Sequence, residues 1–376
     1  MKKIGIITFH NSYNCGSMLE SYAIMKFLRN KKFDAEIIDF SSDGQIKLYK
    51  TFFQQKNLKG FIKNIILFPH RKRIDYNNSK YEDFKNKFFK LSNKINNNDF
   101  SDLKYDYYVA GSDQIWNITI DDYDDAYFLN WVKSGKKIAY APSFGSKNPI
   151  EFAGKNLNKY KNMMNSFDAI SIRENNGKKW IKEMINKDVP VLIDPTLLLS
   201  SNEYDKLLDN SCTPNGKYIF LYCPGFQKDI CKFVKKVSDK YNLPVIAWSA
   251  KSFYIKNIGS LGFKLPKYES PSVYLSLIKN ASLIFTTSFH GTIFSSIYRK
   301  NFYVIKNGGM YGNDDRVKTL IDKLGVQDRL IKYEFDEDFD YLEKVDYSKY
   351  EKLLPEEQKQ ADNYLKKVIG KEYEKC

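Results

Sequence analysis

What most limits the folds open to this chain is a rhythm. Short apolar, β-rich runs alternate with stretches of helical spacing, and the rhythm runs twice. In the first run Lys3–Thr8 reads as a strand, His10–Cys15 as a polar loop, and Gly16–Arg29 as a helix spacing Leu19, Ala23, Met25 and Phe27. Strands at Ala35–Asp39, Tyr105–Ala110, Lys137–Ala141, Ala169–Ile172 and Val189–Ile193 follow, with helices over Pro149–Asn165 and Asn175–Ile185. The alternation restarts near residues 195–215. It then gives strands Tyr218–Tyr222, Pro244–Trp248, Ser282–Thr287 and Phe302–Ile305, and helices Lys228–Lys240, Ser272–Asn280 and Asp315–Leu324. Strands joined through helices pair in parallel. At 376 residues the chain also exceeds what one core usually supports. We therefore expect two α/β domains, residues 1–196 and 197–352, with a cleft between them. A charged helix within residues 353–376, read over Pro355–Lys371, is expected to cross back onto the first domain.

The stretch Ala281–Ile305 is the most informative single unit. Its strand breaks at Ser288-Phe289-His290-Gly291-Thr292, and Ile293–Tyr298 reads as a short helix. In such units the loop at the carboxyl end of the strand faces a crevice. The first helical N–H groups have no internal partner, which makes the helix start an anion site. His290 is one of only three histidines in the chain. A lone histidine is more often a cap or a packed ring; Ser288, Gly291 and Thr292 beside it shift the balance toward a site.

Other strand ends repeat this pattern. Asn14-Cys15-Gly16-Ser17 opens a helix after a strand, but the single glycine in that turn is no dinucleotide fingerprint. Gly111-Ser112-Asp113-Gln114-Ile115-Trp116 places several polar side chains at a strand end, where helix capping explains them as well as ligand contact. Arg173-Glu174 reads equally as a surface ion pair, Asp194-Pro195-Thr196 as turn chemistry, and Arg316 as a counter-charge to Asn313-Asp314-Asp315.

Net charge is +15 with a pI of about 9.2, which calls for an anionic partner: nucleic acid, anionic lipid or a phosphorylated substrate. Lysine and asparagine are used heavily throughout, so composition alone does not choose among them. No nucleic-acid-binding motif is recognised, and the basic residues are dispersed rather than striped. The five cysteines lack CxxC pairing and suit free thiols in a reducing compartment. No metal-ligand cluster is read. No run approaches the ~20 apolar residues of a transmembrane helix, and a cytoplasmic location is expected. Residues 45–100 interrupt the alternation with a basic, aromatic, helical insertion. Its segment Phe61–Arg73 is expected on the outside, where it could touch the inner face of an anionic membrane.

In order and spacing, Asn14-Cys15-Gly16-Ser17, GSDQIW at 111–116, SIRE at 171–174, DPT at 194–196 and SFHG at 288–291 resemble the polysaccharide pyruvyl transferase family, over roughly residues 4–330. The resemblance implies two facing Rossmann-like domains, similar to the two-domain GT-B-like glycosyltransferases. It implies transfer of the enolpyruvyl unit of phosphoenolpyruvate onto a sugar of a cell-surface polysaccharide or its lipid-linked precursor, as a pyruvate ketal. The family's histidine falls on His290 and its strand-end arginine on Arg173. The resemblance implies phosphoenolpyruvate as the donor substrate and no cofactor.

That chemistry assigns expectations to residues. A carboxylate asks for a two-pronged arginine, Arg173 or Arg316. A phosphate asks for the helix start around Ser288, Gly291 and Thr292. Proton transfer falls to His290, with Asp113 or Glu174 as partner. Asn14, Gly16, Ser17, Ser112, Gln114 and Glu174 are expected to line the cleft or meet the acceptor. One rival is a glycosyltransferase using a nucleotide sugar, for which Glu269 would have to clasp the ribose. A weaker one is a basic nucleic-acid- or surface-binding protein without catalysis.

Overall fold

The computed structural model describes residues 1–53, 58–305, 315–370 and 373; Asn313, Asp314 and Cys376 lie outside them. The chain enters with β1 (Lys3–Ile7), α1 (Cys15–Asn30) and β2 (Asp34–Ile37). The insertion holds α2 (Asp43–Leu48), α3 (Leu58–Leu67) and α4 (Arg71–Phe88). β3 (Tyr107–Ala110), β4 (Lys136–Ala139), α5 (Pro149–Ala153), α6 (Leu157–Asn165), β5 (Ala169–Ile170) and α7 (Asn175–Ile185) follow. The second run comprises α8 (Ser201–Asp205), β6 (Ile219–Tyr222), α9 (Lys228–Tyr241), β7 (Val245–Ala247), α10 (Ala250–Ile255) and α11 (Pro271–Asn280). It continues through β8 (Leu283–Thr286), α12 (Phe289–Ile297), β9 (Phe302–Ile305), α13 (Asp315–Leu324), β10 (Leu330–Ile331) and α14 (Ser348–Ile369).

Among the described residues ten strands form two all-parallel sheets, ordered β2-β1-β3-β4-β5 and β10-β9-β8-β6-β7. Central strands such as Tyr107–Ala110, Ile219–Tyr222 and Leu283–Thr286 are buried along their whole length, as expected of sheets covered on both faces. One apolar cluster runs continuously from Ile4, Leu19 and Val109 to Phe220, Leu275 and Phe294, so the two sheets share a core between them. Separate clusters back each sheet on its outer side. α14 lies against the first sheet: the Tyr364 hydroxyl donates to the Ala139 carbonyl (2.9 Å) and Tyr107 donates to Ile369 (3.1 Å).

Two expectations shift. Val189–Ile193 is not a sheet strand. Pro190 has no N–H to give a ladder, and only a single bridge pairs Ile172 with Val191. The helix after β8 begins at Phe289 rather than Ile293, because Ser288 caps it by accepting the Gly291 N–H (3.2 Å).

In each sheet the strand order reverses once, between β1 and β3 and between β6 and β8. Open parallel sheets present ligands at the carboxyl ends of strands flanking such a reversal. Both reversals open onto the same cavity.

Candidate active site

That cavity, of about 180 Å³, is lined by Asn14 and Ser17 after β1, Asp113 and Gln114 after β3, and Arg173 after β5. From the other sheet come Tyr222 and Pro224 after β6, Thr287 to His290 after β8, and Arg316 and Val317 at the start of α13. A larger cavity of about 910 Å³ between β5 and α14 holds none of the clustered groups described next, so size does not pick the site.

Behind the cavity lies a buried charge cluster. Arg173 Nη1 sits 2.8 Å from Asp194 Oδ2 and 3.4 Å from Glu20 Oε2, while Nη2 is 3.8 Å from Asp113 Oδ1. The guanidinium stacks over the Phe289 ring at 4.4 Å. His290 Nε2 lies 3.2 Å from the same Glu20 oxygen and 3.6 Å from Asp194 Oδ2, within ion-pair range of both without a straight hydrogen bond to either. His290 comes from the second sheet; Glu20, Arg173 and Asp194 come from the first half. The ring can approach only because residue 16 is glycine: a Cβ there would stand 2.2 Å from His290 Nδ1.

Local structure fixes each member. Asn14 caps α1 by accepting the Gly16 N–H, and Glu20, farther along the same helix, is fully buried. Asp194 divides its oxygens: Oδ1 accepts from the Thr196 N–H (3.0 Å) and hydroxyl (2.6 Å), and Oδ2 faces Arg173 and His290. It is turn chemistry and part of the cluster at once. Asp113 is held with φ of +63°, its carboxylate accepting the Gln114 N–H at 2.7 Å.

The protonation pattern follows from this packing. Burial, then the charges of Asp194 and Asp113, push the Glu20 carboxyl up to about 8. Burial alone would lower His290, but Asp194 and Glu20 outweigh it and hold the imidazole up to about 9. Despite burial, Asp194 is held well below the usual carboxylate range by His290 and Arg173. These directions favour a charged His290 beside an ionised Asp194, with Glu20 the carboxyl pushed toward its protonated form. The cluster sets a charged His290 in the cavity wall beside Arg173 and Arg316, groups that favour negative charge in the space between them.

Glu20, Asp194 and His290 each offer a ligand atom, all within 4.8 Å of one another, so they are a geometric candidate for a divalent ion. Arg173 Nη1 already stands against both carboxylates, and a dication would have to share that space with a fixed guanidinium.

Of the residues singled out by sequence, Asn14, Ser17, Asp113, Gln114, Arg173, Ser288, His290 and Arg316 line the cavity. The other five do not. The Ser112 hydroxyl donates to the Ala141 carbonyl, and that of Thr292 to the Ser288 carbonyl (3.1 Å). The Gly291 N–H serves the Ser288 cap, and a Cβ there would stand 2.2 Å from Thr286 Oγ1, so this glycine is for packing of α12 on β8. Gly16 acts beneath the site, as the seat of His290. Glu174 is buried, accepts the Phe144 N–H (2.8 Å), and is pushed up to about 7 by burial against Arg173 and Arg316. Sequence reasoning missed Glu20. Its only signal was a glutamate at 20 in helical register with Ser17, Ser21 and Ile24, on a helix apolar on both sides.

Comparison with known proteins agrees with this architecture. The S. aureus MnaA–UDP co-structure superposes with a TM-score of 0.50 at 13% identity, over 98% of this chain and 97% of that one. UDP-GlcNAc 2-epimerase from Neisseria meningitidis bound to UDP-GlcNAc gives 0.48 at 12% identity, over 98% and 100%. E. coli heptosyltransferase WaaC with ADP-2-deoxy-2-fluoro heptose gives 0.37 at 9%, over 85% and 99%. The fold is GT-B-like. No curated protein matches the sequence significantly. Residues 14–309, which take in strands of both sheets and every member of the cluster, match the family described as polysaccharide pyruvyl transferase. The chain is a transferase belonging to the polysaccharide pyruvyl transferase family.

Proposed function

We propose that the protein moves the enolpyruvyl unit of phosphoenolpyruvate onto two hydroxyls of a saccharide and closes them into a pyruvate ketal. The observation that carries this reading is a small cavity where Arg173, Arg316 and the start of α12 meet beside a histidine held protonated. At about 180 Å³ it lies below the usual range of roughly 300–1,000 Å³ for ligand pockets, and suits a compact, densely anionic donor. The donor's methylene carbon gains a proton, for which His290 is the acid. Two acceptor oxygens then bond to the central carbon, the carbon–oxygen bond to phosphate breaks, and inorganic phosphate leaves. Of the two hydroxyl protons released, one balances that on the new methyl group and the other leaves with phosphate. In this reading Asp113, at the cavity wall, accepts a hydroxyl proton. Asp194 and Glu20 hold His290 in position and charge.

In this reading the acceptor belongs to a cell-surface polysaccharide, such as a capsule or exopolysaccharide, or to its lipid-linked precursor, met in the cytoplasm at the inner membrane face. The nucleotide-sugar rival gains nothing from Glu269. One of its oxygens accepts the N–H groups of Ser249 and Ala250 (3.0 and 2.7 Å) and the other accepts from Asn77 (3.2 Å), so it is committed within the protein.

The test is phosphate release from phosphoenolpyruvate with a panel of saccharides. Wild type should release phosphate only with acceptor present, and His290→Gln should lose about 10²–10⁴-fold while remaining folded. Thermal stabilisation by a nucleotide sugar and none by phosphoenolpyruvate would replace this reading with the glycosyltransferase.

A further inference from the structure

α3 is amphipathic in the wrong direction. Leu58, Phe61, Ile62, Ile65 and Ile66 fall at i, i+3, i+4, i+7 and i+8, the spacing of a helix face that ordinarily faces a core. Here they are 73, 47, 47, 56 and 36% exposed, and Phe68 beyond the helix is 61% exposed. The helix is nonetheless pinned. Asn64 exchanges two hydrogen bonds with the Phe53 backbone, both 2.9 Å, Leu67 is buried, and His70 stacks on Tyr254 at 3.5 Å. The protein thus fixes this helix by its other side and holds the apolar stripe outward. A contiguous exposed apolar face marks a contact surface.

Charge identifies the occupant. Between Gly44 and Ile74 the sequence has eight Lys and Arg and no Asp or Glu. Lys59, Arg71 and Lys72 are exposed beside the stripe, and the Arg71 guanidinium sits over the Phe68 ring at 5.4 Å; Lys63 is exposed too, with its ammonium over the Phe53 ring at 5.2 Å. Arg73 is the exception: it turns back to the Pro266 carbonyl. A second copy docking through this face would bring two basic rims together with no acid between them. An anionic bilayer surface supplies both an apolar layer for the stripe and negative charge for the rim. Among the described residues no helix is long and apolar enough to cross a membrane, so contact of this kind lies in the interface.

We infer that α3 and Phe68 form a docking face for an anionic bilayer, with the stripe seated in the headgroup boundary and Lys59, Lys63, Arg71 and Lys72 against the lipid charge. The face lies outside the charged cavity and its test reads lipid binding, so the outcome is independent of the reaction.

The experiment is sedimentation of the full chain with phosphatidylcholine vesicles, with and without phosphatidylglycerol. Wild type should sediment with the anionic vesicles, less as salt is raised, and little with phosphatidylcholine alone. Phe61→Glu with Ile65→Glu should weaken binding by on the order of tenfold or more. Lys59→Gln and Lys63→Gln should weaken it by about fivefold each. Turnover on a short soluble saccharide should be unchanged in all of these variants. Undiminished sedimentation of the Phe61/Ile65 variant would overturn the inference, as would wild type ignoring anionic vesicles. A dimer that this variant converts to monomer, with lipid binding untouched, would assign the face to a second copy instead.

Discussion

Around Arg173 the chain withdraws ionisable groups from water, and along α3 it leaves large apolar groups in it. Glu20, Asp194 and Asp113 surround Arg173 and His290 with almost no solvent contact, whereas Phe61, Ile62 and Ile65 stand half exposed. Each arrangement costs stability, but the two costs differ in kind. Burying charge is tolerated only while every charge keeps its partner, so the cluster is brittle. Exposed apolar area forgoes burial without leaving anything unsatisfied, so α3 should tolerate change. Damage to the first region is therefore expected in folding and chemistry together, and damage to the second only in what the protein touches.

The largest expected effect is at Arg173. Arg173→Met strands Asp194 and Glu20 without their cation and should cost about 3–5 kcal/mol of stability. Denaturant titration reads it, and a loss below about 1 kcal/mol would mean the cluster is solvated and not brittle. Next is Gly16→Ala. Its methyl group would have to displace the His290 ring, so a loss of about 1–3 kcal/mol is expected together with lost turnover. Full turnover would show that the close approach of α1 and α12 is not needed.

A gentler effect is expected from pH. The folded-state pKa values of His290 and Glu20 are both raised, to about 9 and about 8, so the folded protein binds more protons than the unfolded chain at neutral pH. Their contribution is fully present below about pH 4.5, where both unfolded values still lie above the pH. It falls as pH rises through 8 and 9. Asp194 acts oppositely: its depressed pKa adds stability above the ordinary carboxylate range, which is lost in acid. Melting temperature should decline from pH 6 to pH 9, and Glu20→Gln should flatten that decline. The smallest effect belongs to the other region: Phe61→Glu with Ile65→Glu should move stability by no more than about 0.5 kcal/mol. A larger loss would show the stripe packed against the protein and end the contrast.

How much of this was legible depended on which physical signal each residue emits. The central strands were readable because a parallel strand is buried on both faces and must be apolar throughout. His290, Arg173 and Asp113 were readable through position, each following a strand whose carboxyl end must face a crevice. Ser112, Gly291 and Thr292 were misplaced because hydrogen bonds within the protein use the same groups as ligand contact: Ser112 serves the Ala141 carbonyl, Gly291 the Ser288 cap and Thr292 the Ser288 carbonyl. Glu20 was silent because a glutamate in a helix ordinarily marks the solvent side; only packing against the second sheet reverses that sign. Val189–Ile193 failed through Pro190. α3 was read as helical and outward, yet its full exposed stripe became evident only once the helix was seen pinned by its opposite side.

The account's central claim is that the buried carboxylates keep His290 charged in the wall of the cavity. It is tested most directly by following the His290 ring protons by NMR across pH, assigned against His290→Gln among the three histidines. The account predicts an imidazolium that persists through neutrality and titrates near 9, falling when Glu20 is replaced by Gln. A midpoint at or below the ordinary value of about 6.5, unmoved by Glu20→Gln, would contradict it.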